Sequence, residues 1–252
     1  MKALLLSAVL GTRLKPITDS KPKALATING KTLLDINIQN LEKHGFTDIV
    51  VNVHHHASLI ISHLQRNSYK AKIHISDETQ QLMDTGGAIL QAQTLLKSGD
   101  PFIMHNVDVV SDIDLSALYS EHLRRMPLAT LAVSKRKSSR KLLFDNDMRM
   151  CGWQNTTTDE LVMPLKTDIY DDYAFSGIHV ISPEILEKMG ISAPLPLSII
   201  KVYLSLCADN EIVGCDMPST YMFDVGTIER LKGAETYLSG RDVHTKSEKF
   251  FH

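Results

Sequence analysis

Cysteine is scarce: Cys151, Cys207 and Cys215 are the only three in 252 residues, an odd number at wide spacings. That pattern suggests neither a disulfide framework nor a zinc knuckle, and it fits a reducing cytoplasm. Long apolar runs are missing as well. No stretch approaches the ~20 apolar residues of a membrane span, so none is expected. The opening run, Met1-Lys2-Ala3-Leu4-Leu5-Leu6, is too short for a signal peptide and leads straight into Gly11 and Arg13. Excess charge is absent too. Lys and Arg number 27 against 29 Asp and Glu, a formal net charge of −2, so no global basic field draws the chain to nucleic acid. A nucleotide would need only a local positive pocket. What is present is ordinary for a globular protein with a sizeable core, 43% hydrophobic and 22% charged residues. The length suits one large α/β domain or two small ones.

Short apolar segments alternate with helical patterns. Ala3–Ala8 reads as a buried parallel strand. Residues 9–31, rich in Gly, Pro, Lys and Thr, read as a long functional loop. The spacing predicts a helix over Thr32–His44 stopped by Gly45, a strand at Asp48–Val53 and a helix at Ala57–Gln65. A strand at Lys72–Ser76, a helix at Gly86–Leu96 and a strand at Pro101–His105 follow. Strands spaced by helices imply a mostly parallel sheet with right-handed crossovers. Beyond about residue 127 the rhythm changes to short strands at Leu128–Val133, Lys141–Phe144 and Met150–Trp153. Asp145-Asn146-Asp147 marks a turn between the last two. A strand at Tyr173–Ile181 and helices at Pro183–Met189, Leu197–Cys207 and Thr227–Leu238 complete the pattern. Without a repeat, a low-complexity stretch or a clean linker, residues 1–240 read as one domain with a polar tail at 241–252.

Five pieces carry chemistry. Gly11-Thr12-Arg13-Leu14-Lys15-Pro16, followed by Lys21-Pro22-Lys23, sits directly after the first predicted strand, where a flexible basic loop suits phosphate binding. Glycine lets backbone N–H groups approach phosphate oxygens, and arginine grips them through several donors. A plain solvated basic loop is the alternative. Gly30-Lys31-Thr32 ends like a P-loop, but Leu25 holds the required upstream glycine position. No G-x-G-x-x-G follows the first strand, which disfavours a dinucleotide oxidoreductase. Asp84-Thr85-Gly86-Gly87-Ala88 opens a helix, where paired glycines allow close approach of a ligand; a simple cap is the alternative. Asn106-Val107-Asp108 ends an apolar strand, at the rim where α/β proteins place ligands. Phe223-Asp224-Val225-Gly226-Thr227 precedes the last helix, and Asp224 is a second metal candidate beside Asp108. Phe175-Ser176-Gly177-Ile178 puts a glycine inside a strand pattern. His54-His55-His56 reads as structural or solvent-facing, Trp153 as hairpin packing, and Lys135-Arg136-Lys137 with Arg140-Lys141 as a solvated face.

Taken in order, these pieces resemble the sugar-phosphate nucleotidyltransferase family. Its opening signature, approximately L-A-A-G-x-G-T-R-L-x-P-L-T-x-x-x-P-K-P, stands here as Leu6-Ser7-Ala8-Val9-Leu10-Gly11-Thr12-Arg13-Leu14-Lys15-Pro16-Ile17-Thr18, then Pro22-Lys23-Ala24. The resemblance runs from Lys2 to about Leu238 and looks closest to short members acting on mannose-, heptose- or N-acetylmuramate 1-phosphate. It implies a Rossmann-like three-layer α/β/α fold with a mainly parallel mixed sheet. A nucleotide half would run to about residue 126 and a sugar half over about 127–240. The implied reaction joins a nucleoside triphosphate to a sugar 1-phosphate and releases pyrophosphate, with Mg²⁺, in the cytoplasm. Neither nucleic acid nor membrane is implied as a partner, and a homo-oligomer is compatible with it. By the resemblance, Arg13 and Lys23 would be catalytic, Arg13 on the triphosphate and Lys23 near the reaction centre. Ala8, Val9, Gly11, Thr12, Gly86 and Gly87 would line the nucleotide site, Asn106 and Gly177 the sugar side, and Asp108 with Asp224 would hold the metal. Val9 stands where the family's loop has glycine. A β-branched residue is poorly suited to positive φ and crowds a close backbone approach. That departure is the ground for an alternative, a non-catalytic sugar-nucleotide-binding module. Val107 replaces a common glycine, and no Glu-Lys-Pro, which some relatives use toward the sugar phosphate, follows the hairpin.

Overall fold

A computed structural model describes residues 1–97, 99–191 and 193–248, the stretch 241–248 by its backbone alone. The strands are β1 (Lys2–Leu6), β2 (Thr27–Ile28), β3 (Lys31–Thr32), β4 (Asp48–Val53), β5 (Lys72–Asp77), β6 (Phe102–Asn106) and β7 (Val109–Ser111). They continue with β8 (Ala129–Ser134), β9 (Arg140–Phe144), β10 (Met150–Asn155), β11 (Glu160–Val162), β12 (Asp171–Ile181), β13 (Ile212–Asp216) and β14 (Met222–Asp224). The helices are α1 (Leu33–Lys43), α2 (Ala57–Arg66), α3 (Asp84–Gln91), α4 (Gln93–Leu96), α5 (Leu115–Arg125), α6 (Ile185–Lys188), α7 (Ile199–Leu206) and α8 (Ile228–Glu248).

One mixed sheet of ten strands runs β11-β10-β9-β12-β6-β1-β4-β5, with β8 beside β12 and β13 beside β8. The segment β6-β1-β4-β5 is parallel throughout, and β13 lies parallel to β8. β12 is the antiparallel seam: it pairs with β6, β8 and β9 and so carries the sheet across residue 127.

The apolar run of β1 explains the layers. Ala3 and Leu5 point into one core with Leu34, Ile38, Ile60, Leu118 and Leu231, which belong to α1, α2, α5 and α8. Leu4 and Leu6 point into the other with Ala88, Leu96, Ile185, Val202 and Tyr203, from α3, α4, α6 and α7. Alternate residues of a strand face opposite sides, so a continuous apolar run needs helices on both faces. The result is the expected Rossmann-like α/β/α sandwich.

Capping sets the helix limits. Thr32 Oγ1 accepts from Asp35 N at 3.0 Å to start α1, and Gly45 at φ +83° turns the chain out after it. Asp114 Oδ1 accepts from Ala117 N at 2.9 Å to start α5, a helix the sequence pattern did not single out. The last helix outruns its expected end at Leu238 and continues to Glu248, so the polar tail begins inside it; residues 249–252 lie outside the described residues. All three cysteines are free thiols. Among the described residues no helix is long and apolar enough to cross a membrane.

Candidate active site

The carboxyl ends of β1, β4 and β6 open onto a cavity of about 560 Å³, lined by Ala8, Val9, Gly11, Thr12, Arg13, Lys23, Asn106 and Asp108 among others. This is the rim where an open parallel sheet offers loop backbone and side chains together. The loop leaving β1 is tied down at its root. Asn52 Oδ1, at the end of β4, accepts from Ser7 N at 2.6 Å and Ala8 N at 3.2 Å. Its Nδ2 donates to Glu78 Oε1 at 2.8 Å, and Glu78 Oε2 accepts from Met83 N at 3.1 Å. Glu78 is buried, and desolvation pushes its carboxyl above the usual value. Neither Asn52 nor Glu78 stood out in the sequence, because a lone Asn or Glu at a strand end has no local signature.

Gly11 adopts φ +64°, and an added Cβ would lie 3.0 Å from both Lys23 Cβ and Thr18 Cγ2. The loop's demand for glycine therefore falls at residue 11. Val9 is not among the positive-φ residues of the described chain, and it is 37% exposed at the cavity mouth. The backbone strain expected of a valine there is absent, which removes one of the two grounds for a non-catalytic reading, while the side chain itself stays in the cavity lining. Arg13 sits in a single 3₁₀ turn, Thr12–Leu14, and reaches across to the D-V-G-T segment. An added Cβ on Gly226 would meet Arg13 Nη2 and Asp224 Oδ1, each at 3.1 Å.

Lys23 is 2% exposed, yet its ammonium forms an ion pair with Asp108 Oδ2 at the cavity wall. The carboxylate against it offsets the cost of burying the ammonium. Asp224 lines a smaller, separate cavity rather than this one. β14 pairs antiparallel with β7, setting Asp224 opposite Val109, and Val225 N donates to Asp108 O at 2.8 Å. The Asp224 carboxylate accepts from Arg230 Nη1 at 2.9 Å. Asp108 and Asp224 thus sit on adjoining segments, each with a cation partner. They are hard oxygen donors, the set that suits magnesium when substrate phosphates and water complete its shell. No group of three or more His, Cys, Asp or Glu side chains converges on a metal position among the described residues.

The glycine pairs do different work. Gly177, at φ +78° where β12 shifts register, leaves room for the Asn106 amide; an added Cβ would stand 2.7 Å from Asn106 Nδ2. Gly86 and Gly87 are buried, and both N–H groups donate to Leu197 O, at 2.6 and 3.1 Å. An added Cβ would fall 2.9 Å from Leu197 O at Gly86 and 2.1 Å from Leu195 O at Gly87. The close approach these glycines permit is that of the chain's own segment before α7. From this turn Asp84 and Thr85 line the cavity, and Gly86 and Gly87 stand behind them. His54 is held by Glu78 O at 2.6 Å, a structural contact. Trp153 packs on the hairpin, opposite Leu142 and Val162. Of the basic run, Lys135 pairs with Asp171 at 2.8 Å and Lys141 with Asp172 at 3.0 Å. Arg136 departs from a purely solvated face: it lines a small cavity with Asp224 and Arg230.

Comparison with known proteins agrees with this geometry. Residues 2–142 match the family model described as nucleotidyl transferase. The chain is 32% identical over 240 residues to the N-acetylmuramate alpha-1-phosphate uridylyltransferase of Neisseria meningitidis serogroup B, covering 93% of this chain and 97% of that one. The protein of the same name from Caulobacter vibrioides is 29% identical over 246 residues, covering 94% and 96%. Among solved structures, HddC from Yersinia pseudotuberculosis complexed with GMP-PN superposes with a TM-score of 0.76 at 21% identity, over 94% of this chain and 99% of that one.

Proposed function

The chain belongs to the nucleotidyl transferase family, and from that premise we propose UTP and N-acetylmuramate 1-phosphate as its substrate pair. It is a sugar-1-phosphate nucleotidyltransferase: a nucleotidyl group passes from a nucleoside triphosphate to a sugar 1-phosphate, and pyrophosphate leaves. The choice of base and sugar is supported by the two uridylyltransferases, which match this chain over nearly the full length of both partners.

The observation that carries the catalytic reading is the buried Lys23 ammonium, paired with Asp108 on the cavity wall below the loop that bears Arg13. The acceptor is a phosphate monoester whose second pKa is near ~6, so at neutral pH it is largely a dianion and needs no general base. The barrier is repulsion between anions and the alignment of in-line attack on the α-phosphorus. Lys23 and Arg13 address the charge, as fixed donors aimed where negative charge gathers. The Asn52 clamp and the turn at Gly11 fix the loop that aligns the nucleotide. Asp108 and Asp224 would hold a divalent cation, which we propose to be Mg²⁺; when bound, it would neutralise phosphate oxygens and polarise the reacting phosphoryl group.

The test is a matrix of nucleoside triphosphates against sugar 1-phosphates, read by pyrophosphate release. The highest kcat/KM is expected for UTP with N-acetylmuramate 1-phosphate. A higher value for GTP with mannose 1-phosphate would overturn the base and sugar assignment and leave the transferase standing. Pyrophosphate release from no pair would sink the catalytic reading.

A further inference from the structure

The basic run after β8 splits into two kinds of residue. Lys135 and Lys141 are neutralised by Asp171 and Asp172, and the Lys135 ammonium also lies 4.1 Å over the Tyr173 ring. Arg136, exposed like Lys135, reaches instead to the backbone of β12. Its Nη2 donates to Phe175 O at 2.7 Å, on β12 two residues before Gly177. Gly177 is the position that seats Asn106, and Asn106 lines the main cavity. Arg136 therefore anchors to the strand that shapes the sugar side.

A smaller cavity of about 180 Å³ is lined by Arg136, Met222, Phe223, Asp224 and Arg230. It adjoins the main one at Gly226, which lines the larger cavity and lies against Asp224 and Arg13. Two guanidinium groups here face one carboxylate. Arg230 takes the Asp224 ion pair at 2.9 Å, and among the described residues no carboxylate is in ion-pair contact with Arg136. Desolvation lowers the Arg136 pKa, Asp224 raises it and Arg230 lowers it again, so the three groups feel one another. One positive charge is left over, on a fork-shaped group suited to an oxyanion.

We propose that Arg136, with Arg230, forms an oxyanion seat on the acceptor side of the site and determines which sugar 1-phosphates are accepted. The inference rests on the transferase reading above. An acceptor brings oxyanions of two origins, the phosphoryl group that every sugar 1-phosphate carries and the lactyl carboxylate of N-acetylmuramate. The chemistry of recognition is the same, and the experiment separates the origins.

Arg136→Gln and Arg136→Lys are compared with the wild-type chain in three measurements: KM for each substrate, kcat, and calorimetric titration with the acceptor alone. The acceptors are N-acetylmuramate 1-phosphate and N-acetylglucosamine 1-phosphate, which has the same ring without the carboxylate. Removal of one charge-assisted contact should raise acceptor KM and Kd about 10- to 100-fold in Arg136→Gln. Nucleoside triphosphate KM and the melting temperature should hold, and Arg136→Lys should recover part of the loss. A rise confined to N-acetylmuramate 1-phosphate assigns the seat to the carboxylate, and an equal rise with both acceptors assigns it to the phosphoryl group. Unchanged acceptor KM and Kd, or an equal rise in nucleoside triphosphate KM, would overturn the seat while wild-type turnover leaves the transferase intact. A wild-type chain that neither binds nor turns over any acceptor would overturn both readings.

Discussion

Replacing Lys23 by Met keeps most of the buried stem and removes the charge. In the wild-type chain the Lys23 side chain is 3% exposed and its partner Asp108 16%. Two effects should separate. For catalysis, loss of one preorganised donor aimed at developing charge lowers kcat/KM by ~3–4 kcal/mol, or 10²–10³-fold. For stability, breaking a fully buried ion pair by removing one partner costs ~3–5 kcal/mol. Asp108 borders the cavity and stays partly hydrated, so ~1–3 kcal/mol is the expected loss in urea unfolding. Adding Asp108→Asn to Lys23→Met removes the orphaned charge and should restore most of the stability without restoring turnover. Lys15→Ala is the control. Lys15 is 63% exposed and pairs with Asp19 at i,i+4, a contact worth ~0.5 kcal/mol or less. Steady-state kinetics by pyrophosphate release and equilibrium unfolding are run on all four chains. Equal and small effects at Lys23 and Lys15 would return the loop to an ordinary solvated surface and refute the reasoning.

Val9→Gly should bind nucleoside triphosphate no tighter than wild type, because Val9 has no positive φ to relieve; a calorimetric gain of about tenfold or more would contradict this. Asn52→Leu leaves Ser7 N, Ala8 N and Glu78 Oε1 without their partner. It should cost ~2–4 kcal/mol in urea unfolding and raise nucleoside triphosphate KM; unchanged unfolding would remove the clamp from the account. Gly87→Ala sets a methyl 2.1 Å from Leu195 O, so a lower melting temperature is expected, and an unshifted melt would count against the close packing described. Burial holds His122 down at about 4 and His179 at about 3. Both are neutral in the fold near pH 5, while the unfolded chain protonates them near 6.5, so their contribution is complete above ~6.5 and shrinks as pH falls. Between pH 7 and 5 the loss should approach ~2 kcal/mol per histidine, and an unfolding midpoint that stays flat over that window would show that neither is buried neutral.

The fold was legible wherever one periodicity dominated. β1, β4 and β6 are apolar on both faces, and α1 carries its Thr32 cap and Gly45 stop in the sequence. Less legible were elements whose form depends on partners. α5 mixes polar residues into its face and is fixed by the Asp114 cap. β7 and β14 are three-residue strands that exist because they pair with each other. β13 gains its place by lying parallel to β8, a contact between distant parts of the chain that no local pattern encodes.

The site was legible as residue types but not as pairings. Gly11, Arg13, Lys23, Asn106 and Asp108 were all singled out from the sequence, and they meet at one cavity. That Lys23 pairs with Asp108, and Asp224 with Arg230, depends on how the β1 loop, β6 and the start of α8 converge. Glycine was the most ambiguous signal. Gly86-Gly87 and Gly177 share the mark of close approach, but Gly86 and Gly87 admit their own chain at Leu195–Leu197, while Gly177 admits the Asn106 amide. A missing Cβ says that something comes near without saying what. A charge run is ambiguous for the opposite reason: Lys135, Arg136 and Lys141 look alike in sequence, and only the nearby carboxylates distinguish them. Asp171 and Asp172 take the two lysines, which leaves Arg136 to reach Phe175 and the Asp224 cavity. Which cation of a basic run is left without a carboxylate is decided by the complete fold, not by the run itself.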